Sequence, residues 1–170
     1  MPLEATQNGV AADGNGRVLW VPAIADPGNP KLSELTAAGV KPLTYGLTAD
    51  GFNHTITENA ITTGRYTLAQ IIELAGTVQD ALELKYVYNR TSPTPTETAL
   101  GTAGTAGFVV HQLGYPNATA LAAAQKINAV IPCKTGIARD NPPTANSELS
   151  KSVKMYVTDT VRREVTIAAG

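Results

Sequence analysis

Residues 81–88 carry the pattern that most constrains the fold of this chain. Their sequence is ALELKYVY, with leucine or tyrosine at every second position and the charged side chains Glu83 and Lys85 between them. Successive side chains of a strand point to opposite faces, so this spacing predicts a β-strand with one buried face and one exposed face. A chain that contains such a strand has to cover the buried face with further elements.

Shorter strand patterns recur along the rest of the chain. Strands are predicted at residues 17–21, 41–48, 107–113, 126–139, 149–157 and 161–168, the last two forming a C-terminal hairpin. Residues 66–74 fit either a strand or a short helix, and residues 96–100 and 119–125 favour helical turns. About seven closely spaced strands predict a mainly β fold, a sandwich or barrel with one short helix and long loops.

The length and charge of the chain limit its function. At 170 residues it is expected to form a single domain, residues 1–170, with residues 1–16 as a flexible N-terminal arm. A net charge of −1 gives no reason for tight binding to nucleic acid. The charges are uneven, because residues 126–170 hold seven basic and four acidic side chains and the preceding residues hold six and ten. This split suits self-association, and a chance distribution over one solvated surface explains it equally well.

No catalytic, metal-binding or cofactor-binding set is recognisable in the sequence. The glycine-rich run at residues 101–107 lacks the lysine of a phosphate-binding loop. His54 and His111 lack nearby metal-ligating partners, and Cys133 lacks the surroundings of a catalytic thiol. The sequence therefore predicts a structural protein with no enzymatic activity, no cofactor and no metal.

The sequence also predicts no membrane association. The first ten residues lack the basic start and apolar run of a secretory signal. No stretch approaches the roughly 20 apolar residues of a membrane span. The chain is therefore expected to fold in a cytoplasm.

Residues 20–52 contain a long and rigid loop. Four prolines fix its backbone, Pro22, Pro27, Pro30 and Pro42. A one-turn helix capped by Ser33 and stopped by Gly39 is predicted inside it. A loop of this length without catalytic residues is suited to contact with another surface.

Several motifs follow one another in a recognisable order. They are WVPAIADP at residues 20–27, ELTAAG at 34–39, YGLTADGF at 45–52, LELKYVYN at 82–89, VIPCKTGIAR at 130–139 and PPTANS at 142–147. Together they resemble the major tail tube proteins of long-tailed, siphovirus-type phages that infect actinobacteria. Residues 55–80 share no motif with that family, and their role is not predicted.

The resemblance implies both a fold and an assembly. Subunits of this family are β-sandwiches flanked by a helix, and they form hexameric rings that stack into a hollow tube. The implied partners are further copies of the chain, the tape measure protein inside the channel, and the tail tip and terminator proteins. DNA would pass through without specific binding. The implied location is the virion tail, after assembly in the host bacterial cytoplasm.

Two loops and two strands are the candidate contact regions of such a tube. The loops at residues 20–39 and 89–107 would make intersubunit contacts through Trp20, Pro22, Asp26, Pro27, Pro30, Leu35, Thr94, Pro95 and Leu100. The strands at residues 81–88 and 107–113 would line the channel or close the ring through Glu83, Lys85, Val109 and His111.

Two other interpretations fit a β-rich chain without catalytic residues. One is a monomeric β-sandwich binding module, such as an adhesin or a carbohydrate-binding domain, which clustered exposed tyrosines would favour. Its weakness is that Trp20, the only tryptophan, lies at a strand end in a pattern that suggests burial. The other is a different virion part, such as a tail terminator or head decoration protein.

Overall fold

The computed structural model describes residues 8–170. Its elements are β1 (Gly16–Val21), α1 (Leu32–Leu35), β2 (Lys41–Pro42), β3 (Leu47–Thr63), β4 (Ile72–Val87), α2 (Pro95–Leu100), β5 (Ala106–Leu113), β6 (Lys126–Thr135), β7 (Arg139–Asp140), β8 (Ser150–Val157) and β9 (Arg162–Thr166). The predicted N-terminal arm, residues 1–16, falls partly outside the described residues. Its described part leads directly into β1.

The strands form one antiparallel sheet. Their order is β2-β1-β5-β6-β8-β4-β3, with β7 paired to β8 and β9 paired to β6. The mainly β class predicted from the sequence is confirmed. Two short helices accompany the sheet: α1 lies in the proline-rich loop, and α2 lies where a helical turn was predicted at residues 96–100.

The central strands are apolar on both faces because their side chains enter two cores. In β1, Val18 and Trp20 belong to the larger core, whereas Leu19 and Val21 belong to the smaller one. The larger core is completed by β4, β8 and α2, with Leu82, Leu84, Tyr86, Leu100, Val153 and Met155. The smaller core lies beneath the proline-rich loop and contains Ile24, Leu35, Ile127, Val130 and Ile167.

The strand predicted at residues 41–48 is wrong as a single element. Only Lys41 and Pro42 pair with β1, and the chain then turns, with Gly46 N donating to Leu43 O at 2.9 Å. The turn presses against α2, because a Cβ at Gly46 would lie 1.9 Å from Thr96 Oγ1. The prediction missed this approach because local alternation carries no information about α2.

The C-terminal hairpin is also wrong. β8 and β9 do not pair with each other. Both pair with β6, β8 with its last residues and β9 with its first residues. Residues 119–125 contain no helix, and Ala124 adopts a positive φ of 67° that a right-handed helix excludes. The long strand predicted at residues 126–139 ends at Thr135.

The one-turn helix in the proline-rich loop forms with different ends from those predicted. Lys31 rather than Ser33 precedes its first turn, and Thr36 rather than Gly39 follows its last residue. The Glu34 carboxylate holds the start of the helix, because its two oxygens accept from Lys31 N at 2.9 Å and Ala25 N at 2.8 Å.

Candidate assembly interface

Strands β3 and β4 extend far beyond the body of the protein as a two-stranded arm, defined here as residues 56–79. β4 pairs with β8 only as far as Leu82, which lies opposite Met155. Within residues 8–170, no strand pairs with the outer edge of β3. Among the described residues, no strand therefore pairs with either edge of the arm.

The arm exposes more apolar surface than a solvated ribbon needs. Its exposed large side chains are Ile56, Ile61, Tyr66, Leu68, Ile71, Ile72, Leu74 and Val78, and Tyr66 at the tip is 98% exposed. A two-stranded ribbon is marginally stable alone in water, and contiguous apolar patches usually mark interaction sites. An exposed apolar surface of this kind is typical of an interaction site.

A β-bulge divides the arm into two parts. Between the pairs Glu58–Val78 and Ala60–Ala75, β3 advances two residues and β4 advances three. The extra residue lies near Gly76, where an added Cβ would be 2.4 Å from Asn59 O. Because a bulge changes which side chains of the bulged strand face each side, the apolar surface of the arm changes sides at this point.

The root of the arm is fixed by a polar cluster. His54 Nε2 lies 2.8 Å from Asp80 Oδ1, and the guanidinium of Arg163 donates to the same oxygen. Both His54 and Asp80 are largely buried, with side chains 12% exposed. Since Arg163 belongs to β9, the cluster ties the start of the arm to the body of the protein.

His111 lies next to this cluster on β5. Its ring is 4.2 Å from that of Phe52, and burial lowers its pKa, with a smaller contribution from the charge of His54. His111 is therefore half-buried at the arm root, and its place in a channel-lining or ring-closing strand stays a prediction. Val109, two residues earlier, is fully buried.

The proline-rich loop contributes both core and surface residues. Trp20, Pro30 and Leu35 are buried against their own chain. Pro27 is half-buried, and Pro22 and Asp26 are exposed. The loop forms the wall of a mainly apolar surface pocket of about 530 Å³, lined by Pro22, Ala23, Ile24, Ala25, Ser33, Glu34, Ala37 and Gly39. The intersubunit role of the loop stays a prediction. Its exposed residues Pro22 and Asp26 are free to make such contacts.

The second predicted contact loop is organised by α2. Thr94 caps this helix by accepting from Glu97 N at 3.1 Å, and Pro95 occupies its first turn. Leu100 is fully buried in the larger core. Of the three predicted contact residues, Pro95 alone is exposed.

The face of β4 that points away from the larger core borders a groove with basic side chains in its lining. Glu83 is exposed and lies opposite Lys154 of β8, while Lys85 pairs with Asp50 at 3.1 Å. A groove of about 240 Å³, called the basic groove below, is lined by Glu83, Ile137, Arg139, Ser152, Lys154 and Tyr156. Ile137 is 73% exposed and Tyr156 is 54% exposed, so the groove also offers apolar contact area.

Conventional chemical sites are not formed by the described residues. No group of three or more His, Cys, Asp or Glu side chains is placed to hold a metal ion within residues 8–170. Burial raises the pKa of Cys133 to about 12, which leaves the thiol protonated and poorly nucleophilic. No helix of the described chain is long and apolar enough to cross a membrane.

Comparison with known proteins identifies the family. The family model described as "Phage tail tube protein" matches residues 4–170. The chain belongs to this family. It is therefore a structural component of a phage virion tail, which confirms the tail tube resemblance, and it assembles with other tail components. The siphovirus-type phage and the actinobacterial host remain predictions.

The fold of this tail tube protein also has a solved counterpart. It is similar to a chain in the cryo-EM structure of the anti-feeding prophage (AFP) baseplate, 6-fold symmetrised, with a TM-score of 0.54 and 12% sequence identity. The similarity covers 91% of this chain and 97% of the other. At this identity, the match shows the fold alone. No curated protein matches the chain.

The arm is the region that sequence reasoning missed. Residues 55–63 are rich in threonine and isoleucine, and residues 71–78 contain further β-branched and leucine side chains. This composition is a strand signal on both sides of the turn at Tyr66 and Thr67. The signal was obscured because the bulge breaks the alternation on which the strand predictions relied.

Proposed function

We propose that this tail tube protein polymerises through its arm into stacked hexameric rings that enclose a channel. The observation that carries the proposal is the arm itself, a ribbon with exposed apolar residues on both sides of its bulge and an outer edge that no strand of residues 8–170 pairs with. Strands from neighbouring copies would satisfy that edge and cover those residues. The number six is suggested by the 6-fold symmetrised assembly of the similar baseplate chain.

The proposed channel is a conduit for DNA. A near-neutral chain has little general attraction for a polyanion, and a wall that bound phosphates tightly would stall the moving genome. During assembly in the host cytoplasm, the channel would hold the tape measure protein. The tail tip and terminator proteins would meet the two ends of the tube.

Negative-stain electron microscopy of the purified and concentrated protein tests the proposal. The full-length chain is expected to form hollow rods or six-fold rings. In an arm-deleted variant, Asn-Gly replaces residues 58–78 and joins the paired residues Thr57 and Gln79 through a two-residue hairpin turn. It should stay monomeric.

The arm-deleted variant is a well-defined comparison because neither core contains an arm residue. Its thermal unfolding should remain cooperative. Rods formed by this variant would contradict the role of the arm. A full-length chain that stays monomeric at all concentrations, even with tail tip proteins added, would contradict polymerisation.

A further inference from the structure

One side of the arm is acidic. Glu58 lies opposite Val78, and Glu73 lies opposite Thr62. Because β3 continues regularly from residue 58 to residue 62, both carboxylates project from the same side of the ribbon. They line a shallow pocket of about 350 Å³ over the bulge. Both residues are exposed, and neither forms an ion pair with any residue in the range 8–170.

The basic groove has the complementary chemistry. Arg139 and Lys154 line it, and Lys134 lies beside it, opposite Tyr156 on β8. Glu83 is the single carboxylate in the lining. Arg139, Lys134 and Lys154 form no ion pair with the described residues. The groove therefore presents excess positive charge beside exposed apolar side chains.

The acidic side of the arm and the basic groove lie on opposite sides of the sheet. Glu83 points away from the larger core, whereas its neighbour Leu82 points into it. His54 lies opposite Leu82, and Glu58 follows His54 by four residues on the same strand, so the acidic side continues the core-facing side. The two surfaces of one chain consequently face away from each other. They can meet only between copies.

We propose that the acidic side of the arm of one copy docks in the basic groove of another copy. Glu58 and Glu73 would face Arg139 and Lys154, and Val78 would pack near Ile137. The contact is head-to-tail, so repeating it generates a closed ring or an open filament rather than an isolated dimer. It would also neutralise cations that a DNA conduit has to keep covered. This inference rests on the proposed self-assembly and specifies its contact.

Charge reversal distinguishes this pairing from other modes of assembly. A basic-arm variant carries Glu58→Lys and Glu73→Lys, and an acidic-groove variant carries Arg139→Glu and Lys154→Glu. Each alone should raise the critical concentration for assembly at least about tenfold, because like charges then face each other. An equimolar mixture should recover assembly, since each arm then finds a groove of opposite charge. The fourfold variant should recover it alone.

A matched control and the contrary outcomes complete the experiment. Glu148→Lys reverses an exposed carboxylate outside both surfaces and should leave assembly unchanged. Circular dichroism should show the same fold in every variant. Assembly of the wild-type chain with no effect of the reversals, or their failure to rescue each other, overturns the pairing alone. A wild-type chain that never assembles overturns the proposed function as well.

Discussion

His54 and Asp80 face each other across the root of the arm, with Nε2 2.8 Å from Oδ1. They stand at the point where β4 leaves β8 and continues only with β3. Arg163 reaches the same carboxylate from β9. The Asp80 carboxylate therefore fixes the direction of the arm, because it binds both His54 of β3 and Arg163 of β9.

Replacing that carboxylate should loosen the arm while leaving the body folded. Asp80→Asn removes the charge that Arg163 and His54 share, and hydrogen bonds to a charged group typically contribute about 1.5–3 kcal/mol. Hydrogen exchange at residues 56–79 should accelerate, and assembly should weaken. Asp13→Asn, an exposed change in the turn before β1, is the control. Unchanged exchange in the arm of Asp80→Asn would mean that the cluster does not orient it.

The bulge provides a second test of the arm. In Gly76→Ala, the new Cβ would lie 2.4 Å from Asn59 O, so the ladder has to shift. Assembly should fall strongly, while the melting temperature of the body should change little because no core residue moves. Gly64→Ala lies in the same arm with nothing within 4 Å of its Cβ and should behave as wild type. Equal behaviour of the two variants would show that the bulge geometry is dispensable.

Local alternation located most strands of the body because these strands bury their apolar residues within the same chain. The predicted bounds of β1 and β5 lie within one residue of the observed ones. The predicted end of β4 is also within one residue, but β4 begins at Ile72, well before the predicted start at residue 81. The pairing of β9 with β6 was missed, since it joins residues such as Ile127 and Val165 that are far apart in sequence. Local patterns favour the nearest partner, which for β9 was β8.

The burial of the predicted contact residues depends on similar long-range information. An apolar residue in a loop, such as Leu35 or Leu100, can face its own core or a partner, and composition does not distinguish the two. Both residues face the core. The arm shows the converse case, because its apolar residues are exposed within the described chain and do not mark one buried face.

The predicted contact residues on α2 should therefore separate into two classes. Leu100→Ala removes a fully buried side chain from the larger core and should cost about 2–5 kcal/mol of unfolding free energy. Pro95→Ser changes an exposed position and should leave chemical denaturation nearly unchanged. If the loop at residues 89–107 makes intersubunit contacts, Pro95→Ser should instead change the critical concentration for assembly. A stable Leu100→Ala would contradict the packing of α2.

Protonation of His111 should destabilise the fold at low pH. Burial holds its pKa in the folded state below the ordinary value of 6.5, so the unfolded chain binds the proton more readily. The unfolding free energy should therefore fall as the pH drops through 6.5 towards the lower folded value, and its loss should level off below that. Urea denaturation between about pH 8 and about pH 5 measures this slope. His111→Phe should flatten the slope while keeping a ring against Phe52, and an unchanged slope would assign the effect to other groups.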